Sequence, residues 1–317
     1  MSMIPCGDAA GEPYSIIRVR DGRALGYIEV GKPGGTPVLH FHGHGSSRLE
    51  ALALANMAAA LGVRLIALDR PGIGRSDARE GGRILDWPDD VTDVADQLGL
   101  ERFAVEGISG GGPYALACAS RIPHRLTACG LVSPLSPPEL VKQAGVRWMR
   151  AAWRLGQTFP EETRACLGIV FPRSTVTVRR IERRLLRLSL CVSKADRRVL
   201  RSPEIRTWLA RAFAESRRQG PQAIRDEVMM QMGAWGFGPE QIDLENIFLW
   251  HGARDHLLPV ATARLLAQRL PRCRATFYPD DGHLSVLANH AQEVFTALAS
   301  QRPASSVPVR RVGDRRG

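Results

Sequence analysis

Apolar residues along this chain gather in short runs, each closed by a polar turn and followed by a stretch of helical periodicity. Residues 15–20 and 24–30 flank an Asp21-Gly22 turn and predict an antiparallel hairpin. Residues 36–41, 63–69, 103–106, 126–132, 247–251 and 275–278 predict further strands. Between them, 49–61, 84–98, 260–270 and 284–298 carry apolar residues at the spacing of one helix face, as Val91, Val94 and Leu98 do. Strands alternating with helices imply right-handed crossovers and a mainly parallel sheet covered on both faces. The alternation stops at Pro134. For about a hundred residues the pattern is helical only, with Ile181, Leu185 and Leu188 set among arginines, and it resumes as α/β at Ile247. The expected division is therefore 1–135 plus 241–301 as the α/β core, 136–240 as a helical insertion, and 302–317 as a basic, Pro- and Gly-bearing tail expected to be disordered.

The run from Phe103 breaks at Gly107-Ile108-Ser109-Gly110-Gly111 and gives way to the helix-favouring Ala115–Ala119. A serine on such a strand–turn–helix bend projects its hydroxyl above the sheet, and flanking glycines allow close packing there. The same glycine-rich turn with the serine as a helix cap is the bland alternative. An activated serine needs a base, and the base an orienting acid. Asp255 and His283 both follow strands, and in a parallel sheet the C-terminal strand ends face one side, so Ser109, Asp255 and His283 can converge there. Asp280 and Asp281 are too near His283 in sequence to orient its ring well. The N–H of Gly110 at the helix start points towards negative charge developing beside Ser109, and the backbone of His44, in the loop after residue 41, is the second candidate donor. His40, His42 and His44 alternate, but no acidic or histidine partner stands at ligand spacing, so no metal is expected; His42 is read as bracing the loop. Neither a dinucleotide fingerprint nor a phosphate-binding loop occurs, and no cofactor is expected.

Composition narrows this little: 317 residues, 44% hydrophobic and 24% charged, suffice for a large core. The net charge of +11 matters more, because residues 136–240 hold 20 Lys/Arg against 10 Asp/Glu. A solvated arginine-rich helical surface accounts for it, contact with an anionic surface stays open, and no nucleic-acid-binding motif is present. Trp148, Trp153, Phe171, Trp208, Phe213, Met229, Met230, Met232 and Trp235 either fill a core there or line a pocket. Six scattered cysteines without C-x-x-C read as buried thiols of a reducing compartment. The N-terminus lacks a signal pattern and no apolar stretch nears the ~20 residues that span a bilayer. A cytoplasmic location is expected.

His42-Gly43, Asp69-Arg-Pro-Gly-Ile-Gly-Arg-Ser-Asp77, Gly107-Ile-Ser-Gly-Gly111, Trp250-His-Gly-Ala-Arg-Asp255 and Gly282-His283 together resemble the α/β-hydrolase superfamily, in its cap-bearing serine branch. The resemblance spans about residues 21–300. It implies a mostly parallel eight-stranded sheet with helices on both faces, an inserted helical cap, nucleophile Ser109, acid Asp255, base His283, and oxyanion donors at His44 and Gly110. The His-Gly-Gly-Pro-Gly signature of proline iminopeptidases is missing, and Ser109 stands where epoxide hydrolases and dehalogenases carry aspartate. Ester hydrolysis of a small molecule is the reading this favours, with carbon–carbon hydrolysis or acyl transfer on the same residues as alternatives and a non-catalytic receptor as the alternative of another class. Glu106, in a strand expected to be covered on both faces, needs a partner to be buried there.

Overall fold

The computed structural model describes residues 6–7, 13–170 and 177–301. Phe171 and the tail 302–317 lie outside the described residues. The chain runs β1 (Cys6–Gly7), β2 (Pro13–Arg18), β3 (Ala24–Gly31), β4 (Thr36–Phe41), α1 (Ala55–Ala60), β5 (Val63–Leu68), α2 (Trp87–Gln97), β6 (Phe103–Ile108), α3 (Gly112–Arg121) and β7 (Leu126–Val132). Seven helices follow: α4 (Pro138–Gln143), α5 (Arg147–Thr158), α6 (Pro160–Val170), α7 (Val178–Leu188), α8 (Lys194–Arg201), α9 (Pro203–Glu215) and α10 (Gln222–Gln231). Then come β8 (Ile247–Gly252), α11 (Val260–Arg269), β9 (Cys273–Tyr278) and α12 (Ser285–Ala299).

One sheet carries the fold, in the order β1-β2-β3-β5-β4-β6-β7-β8-β9. Strands β4 to β9 are mutually parallel, and the hairpin β2–β3 lies antiparallel on β5. Eight strands of six to eight residues make up the expected sheet, and β1 adds a two-residue antiparallel ribbon at its edge.

Alternation along β6 shows how the sequence is partitioned. Phe103 and Val105 enter the core layer with Phe41, Trp87 and Leu116, whereas Ala104 and Ile108 enter the opposite layer with Val38, Phe295 and Leu298. Each buried side chain of this size contributes about 1.5–3 kcal/mol. Phe41, Trp87 and Tyr114 meet edge to face, with centroids 5.4 and 5.9 Å apart.

Two expectations need correcting. The helix read over 49–61 is a 3₁₀ helix at Arg48–Leu54, tightened where the Arg48 N–H and guanidinium are clamped by Asp69, and only then α1. The cysteines are not uniformly buried: Cys118 and Cys129 are, but Cys166 and Cys191, both on the segment between β7 and β8, are exposed.

That segment is built differently from the sheet. Its small apolar cluster comprises Ile181, Leu185, Leu200 and Ala210, while Trp148, Leu155, Phe159, Leu186, Leu188 and Leu190 remain exposed. Polar joints fasten it to the sheet. Arg48, fully buried beside the β4 loop, donates to Asp69 at 2.6 Å and to Glu215 of α9 at 2.7 Å. Arg70, after β5, forms a bidentate pair with Glu227 of α10 and lies over the Tyr114 ring.

Candidate active site

At the end of β6 the backbone turns sharply, and Ser109 takes a positive φ of 51° at the start of the 3₁₀ turn Ser109–Gly111. Few non-glycine residues adopt this conformation, and it costs of order 1–3 kcal/mol. The bend requires glycine on either side, since a Cβ at Gly107 would stand 2.5 Å from the Gly111 carbonyl oxygen and one at Gly111 2.0 Å from that of Phe41.

The residues singled out by chain order come together. His283 Nε2 lies 3.0 Å from Ser109 Oγ, and His283 Nδ1 lies 2.7 Å from Asp255 Oδ2. Asp255 Oδ1 accepts the N–H groups of Leu257 and Leu258, both at 2.8 Å. Burial disfavours both charged forms, but mutual attraction outweighs it: the carboxyl of Asp255 is held below its ordinary range and the His283 imidazole above its own. Asp280 and Asp281 go elsewhere. Asp280 pairs with Arg254 at the surface, and Asp281 accepts from Asn289 and contacts His290.

The loop after β4 closes on Ser109 from the other side. A Cβ at Gly43 would lie 3.6 Å from that of Ser109, and the His44 ring covers Gly110 so closely that a Cβ there would come within 2.6 Å of it. Among the described residues, neither the His44 nor the Gly110 N–H donates to a protein group. His42, buried and held neutral by burial and by Arg70, donates from Nδ1 to the Gly43 carbonyl at 2.9 Å. Glu50 Oε2 accepts the Gly43 N–H at 3.2 Å. The arrangement therefore offers a hydroxyl, an imidazole hydrogen-bonded to it, a carboxylate behind the imidazole, and two free N–H groups nearby.

Several participants had no signal in the sequence. Gln231 of α10 donates to the Gly110 carbonyl at 2.9 Å, and Ser216, just after α9, donates to the Gly45 carbonyl at 2.6 Å. Ser133, at the end of β7, is the other non-glycine residue with positive φ among those described, at 44°, and its Oγ donates to the His283 carbonyl at 3.2 Å. His251 sits behind Asp255, with Nε2 on the Leu258 carbonyl at 2.8 Å. Glu106, by contrast already singled out from the sequence, is fully buried, and its Oε2 lies 2.6 Å from His40 Nδ1 across the β4–β6 register. Burial pushes its carboxyl up, opposed by the adjacent imidazole. A cavity of about 480 Å³ lies between the segment 70–87 and α10, lined by Arg70, Trp87, Tyr114, Glu227 and Met230 among others, and none of Ser109, Asp255 or His283 borders it.

Residues 36–289 match the alpha/beta hydrolase fold family. The chain belongs to that family. It is 29% identical over 239 residues to a pimeloyl-[acyl-carrier protein] methyl ester esterase of Nitrosomonas europaea, covering 74% of this chain and 84% of the relative. It is 25% identical over 264 residues to the dihydrolipoyllysine-residue acetyltransferase component of an acetoin cleaving system of Pseudomonas putida, covering 83% of this chain. The aligned part spans 62% of that relative's length. The fold is shared with an esterase from Rhodococcus, at a TM-score of 0.63 and 20% identity over 91% of this chain and 99% of the other. No helix among the described residues is long and apolar enough to cross a membrane.

Proposed function

We propose that this alpha/beta hydrolase cleaves a small-molecule carboxylic ester through an acyl-enzyme, with Ser109 as nucleophile, His283 as general base and acid, and Asp255 as the group orienting the base. The observation that carries this reading is the continuous hydrogen-bonded line from Asp255 Oδ2 through His283 to Ser109 Oγ, at 2.7 and 3.0 Å. Ser109 Oγ attacks the carbonyl carbon as His283 Nε2 takes its proton. The oxyanion is received by the N–H groups of His44 and Gly110, whose freedom from protein acceptors supports that role. On collapse the C–O bond to the alcohol breaks, and His283 returns the proton to the leaving oxygen. Water, deprotonated by His283, then attacks the acyl carbon and frees the acid and Ser109. Asp255 holds the Nδ1–H tautomer and stabilises the imidazolium. Esters suit this machinery better than amides, because an alkoxide leaves more readily than an amine. Residues 136–240 serve as the lid over the site, a reading supported by the bonds from Gln231 and Ser216 to the loops beside Ser109.

Acyl transfer to an acceptor other than water is the second reading, favoured by the similarity to the acetyltransferase component. Both predict an acyl-Ser109. A fluorophosphonate should label wild type and not Ser109→Ala, and Ser109→Ala should lose turnover of nitrophenyl esters across acyl-chain lengths while staying folded. Unchanged labelling of the alanine variant would remove Ser109 from the reaction. Added alcohol or thiol acceptors that divert product from acid to ester or thioester would favour transfer over hydrolysis.

A further inference from the structure

The helical segment between β7 and β8 touches the base itself. Asp196, on α8, is 1% exposed, and both of its oxygens are spent on the backbone that carries His283. Oδ2 accepts the His283 N–H at 2.9 Å, and Oδ1 accepts the N–H groups of Leu284 and Ser285, each at 2.9 Å. These donors open α12, which has no side-chain cap from its own flank. A carboxylate 87 to 89 positions away in the chain therefore fills the role that a local cap residue would fill. The joint is closely fitted. A Cβ at Gly282 would stand 2.1 Å from Asp196 Oδ2 and 2.2 Å from Ser193 Oγ, and Ser193 in turn accepts the Asp196 N–H at 3.1 Å. On the other side of the same residue, Ser133 Oγ donates to the His283 carbonyl. The peptide groups flanking the imidazole are thus held at the N–H by the inserted helices and at the C=O by the sheet.

We infer that Asp196 is a positioning residue for His283, so that the reach of the base to Ser109 depends on the seating of α8 against the start of α12. This rests on the reading of His283 as the base. When α8 is seated, three hydrogen bonds fix the backbone from which the imidazole extends. When it lifts, that backbone loses all three together, and the 3.0 Å contact to Ser109 loses its support. Misplacement of a catalytic group by an ångström is enough to cost about a hundredfold in rate.

The test uses the full chain with Asp196→Ala and Asp196→Asn, and His283→Ala as control, with kcat and KM on a nitrophenyl ester read beside thermal unfolding and corrected to folded enzyme. Asp196→Ala should lower kcat by about tenfold or more and leave KM within about threefold. Asp196→Asn keeps one acceptor oxygen for Leu284 and Ser285 and should fall between, at about threefold or more below wild type. The acid limb of the fluorophosphonate labelling rate should also move to lower pH in both variants. His283 faces the acidic groups of Asp255, Asp196 and Glu50 and the imidazoles of His44 and His251, and each variant removes one negative charge from that set. A kcat within threefold of wild type in the folded Ala variant, or in the Asn variant should only that one fold, overturns the inference whatever happens to melting. Hydrogen exchange in the wild-type protein decides it without any variant. The amides of His283, Leu284 and Ser285 should open together with those of α8, and opening at an unrelated rate rejects the coupling. Retained turnover in His283→Ala would instead fail the base assignment, a result separable from the exchange behaviour of the joint.

Discussion

The sheet and the helices inserted after β7 are held by different physics. In the sheet, each central strand sends alternate side chains into two apolar layers, and stability is spread over many non-directional contacts such as those of Phe103, Val105 and Leu116. The inserted helices leave six large apolar side chains exposed among the described residues, and besides the packing of Leu140 and Trp235 into the core they meet the rest of the molecule through directional joints such as Arg48–Glu215, Arg70–Glu227, Gln231 on Gly110, and Asp196 on the start of α12. Two of these joints end at the turn bearing Ser109 and at His283, Arg70 also donates to the His42 carbonyl in the loop after β4, and Arg48 adjoins that same loop. A framework of the first kind tolerates change of shape, whereas contacts of the second kind tolerate little change of chemistry. The residues around Ser109 and His283 therefore sit where tolerance is lowest.

The largest effect expected is on the line through His283. Asp255→Asn should reduce kcat by roughly 10⁴ through the wrong imidazole tautomer, with changes at Asp280 or Asp281 far milder. Steady-state kinetics on an activated ester would rank the three, and a reversed ranking would take Asp255 out of the line.

Next come the buried ion pairs. Removing one partner of Arg70–Glu227, by Arg70→Met or Glu227→Gln, should cost about 3–5 kcal/mol in denaturant unfolding, because the other group is left buried without its partner. The double replacement by apolar residues should recover most of that. If the single and double variants unfolded alike, the joint would be no more than a packing contact.

The pH dependence follows from the two shifted groups. In the proposed mechanism the base works when neutral, so activity should be full at high pH and fall about tenfold per unit below the pKa of His283, which lies above the ordinary imidazole value of about 6.5. Stability runs the other way. The contribution of His283 is complete below the unfolded imidazole value and is lost as pH rises through the folded one. That of Asp255 is present above the unfolded carboxyl value and is lost as pH falls through its lowered folded one. Rate and unfolding profiles on the same samples would show whether the two limbs cross in this sense.

The smallest effects sharpen the contrast. Leu116→Met, volume-conserving within the layer beside β6, should cost less than about 1.5 kcal/mol. Leu190→Ser, on an exposed side chain in the turn after α7, should stay within about 0.5 kcal/mol of wild type. A larger loss at Leu190 than at Leu116 would mean that the exposed apolar residues are covered in solution.

The division between regions also decides what the sequence could convey. The strands and the turn at Ser109 are legible because alternation, glycine spacing and strand order are local patterns, and in a parallel sheet chain order alone aligns the strand ends at Ser109, Asp255 and His283. The partner of Glu106 could be anticipated in kind but not in identity, since His40 reaches it only through the β4–β6 register. Asp196, Glu227 and Gln231 carry no local signature. Asp196 lies on an arginine-rich helix of a kind that solvated surfaces also use, Glu227 and Gln231 lie on the mixed polar and apolar α10, and the meaning of all three arises from contacts more than eighty residues away. The exposed thiols Cys166 and Cys191 escaped for a related reason, because an apolar neighbourhood in sequence does not say which helix face turns outward.

The pairing of Arg48 and Arg70 with Glu215 and Glu227 bears on protein engineering. In a chimaera that moves residues 136–240 onto another sheet of this fold, two buried glutamates would arrive without their guanidinium partners unless arginines stood at both equivalent places. The smallest transplantable unit is thus discontinuous: the helices, the loop at Arg48, the turn at Arg70, and a glycine at 282 to admit the α8 carboxylate.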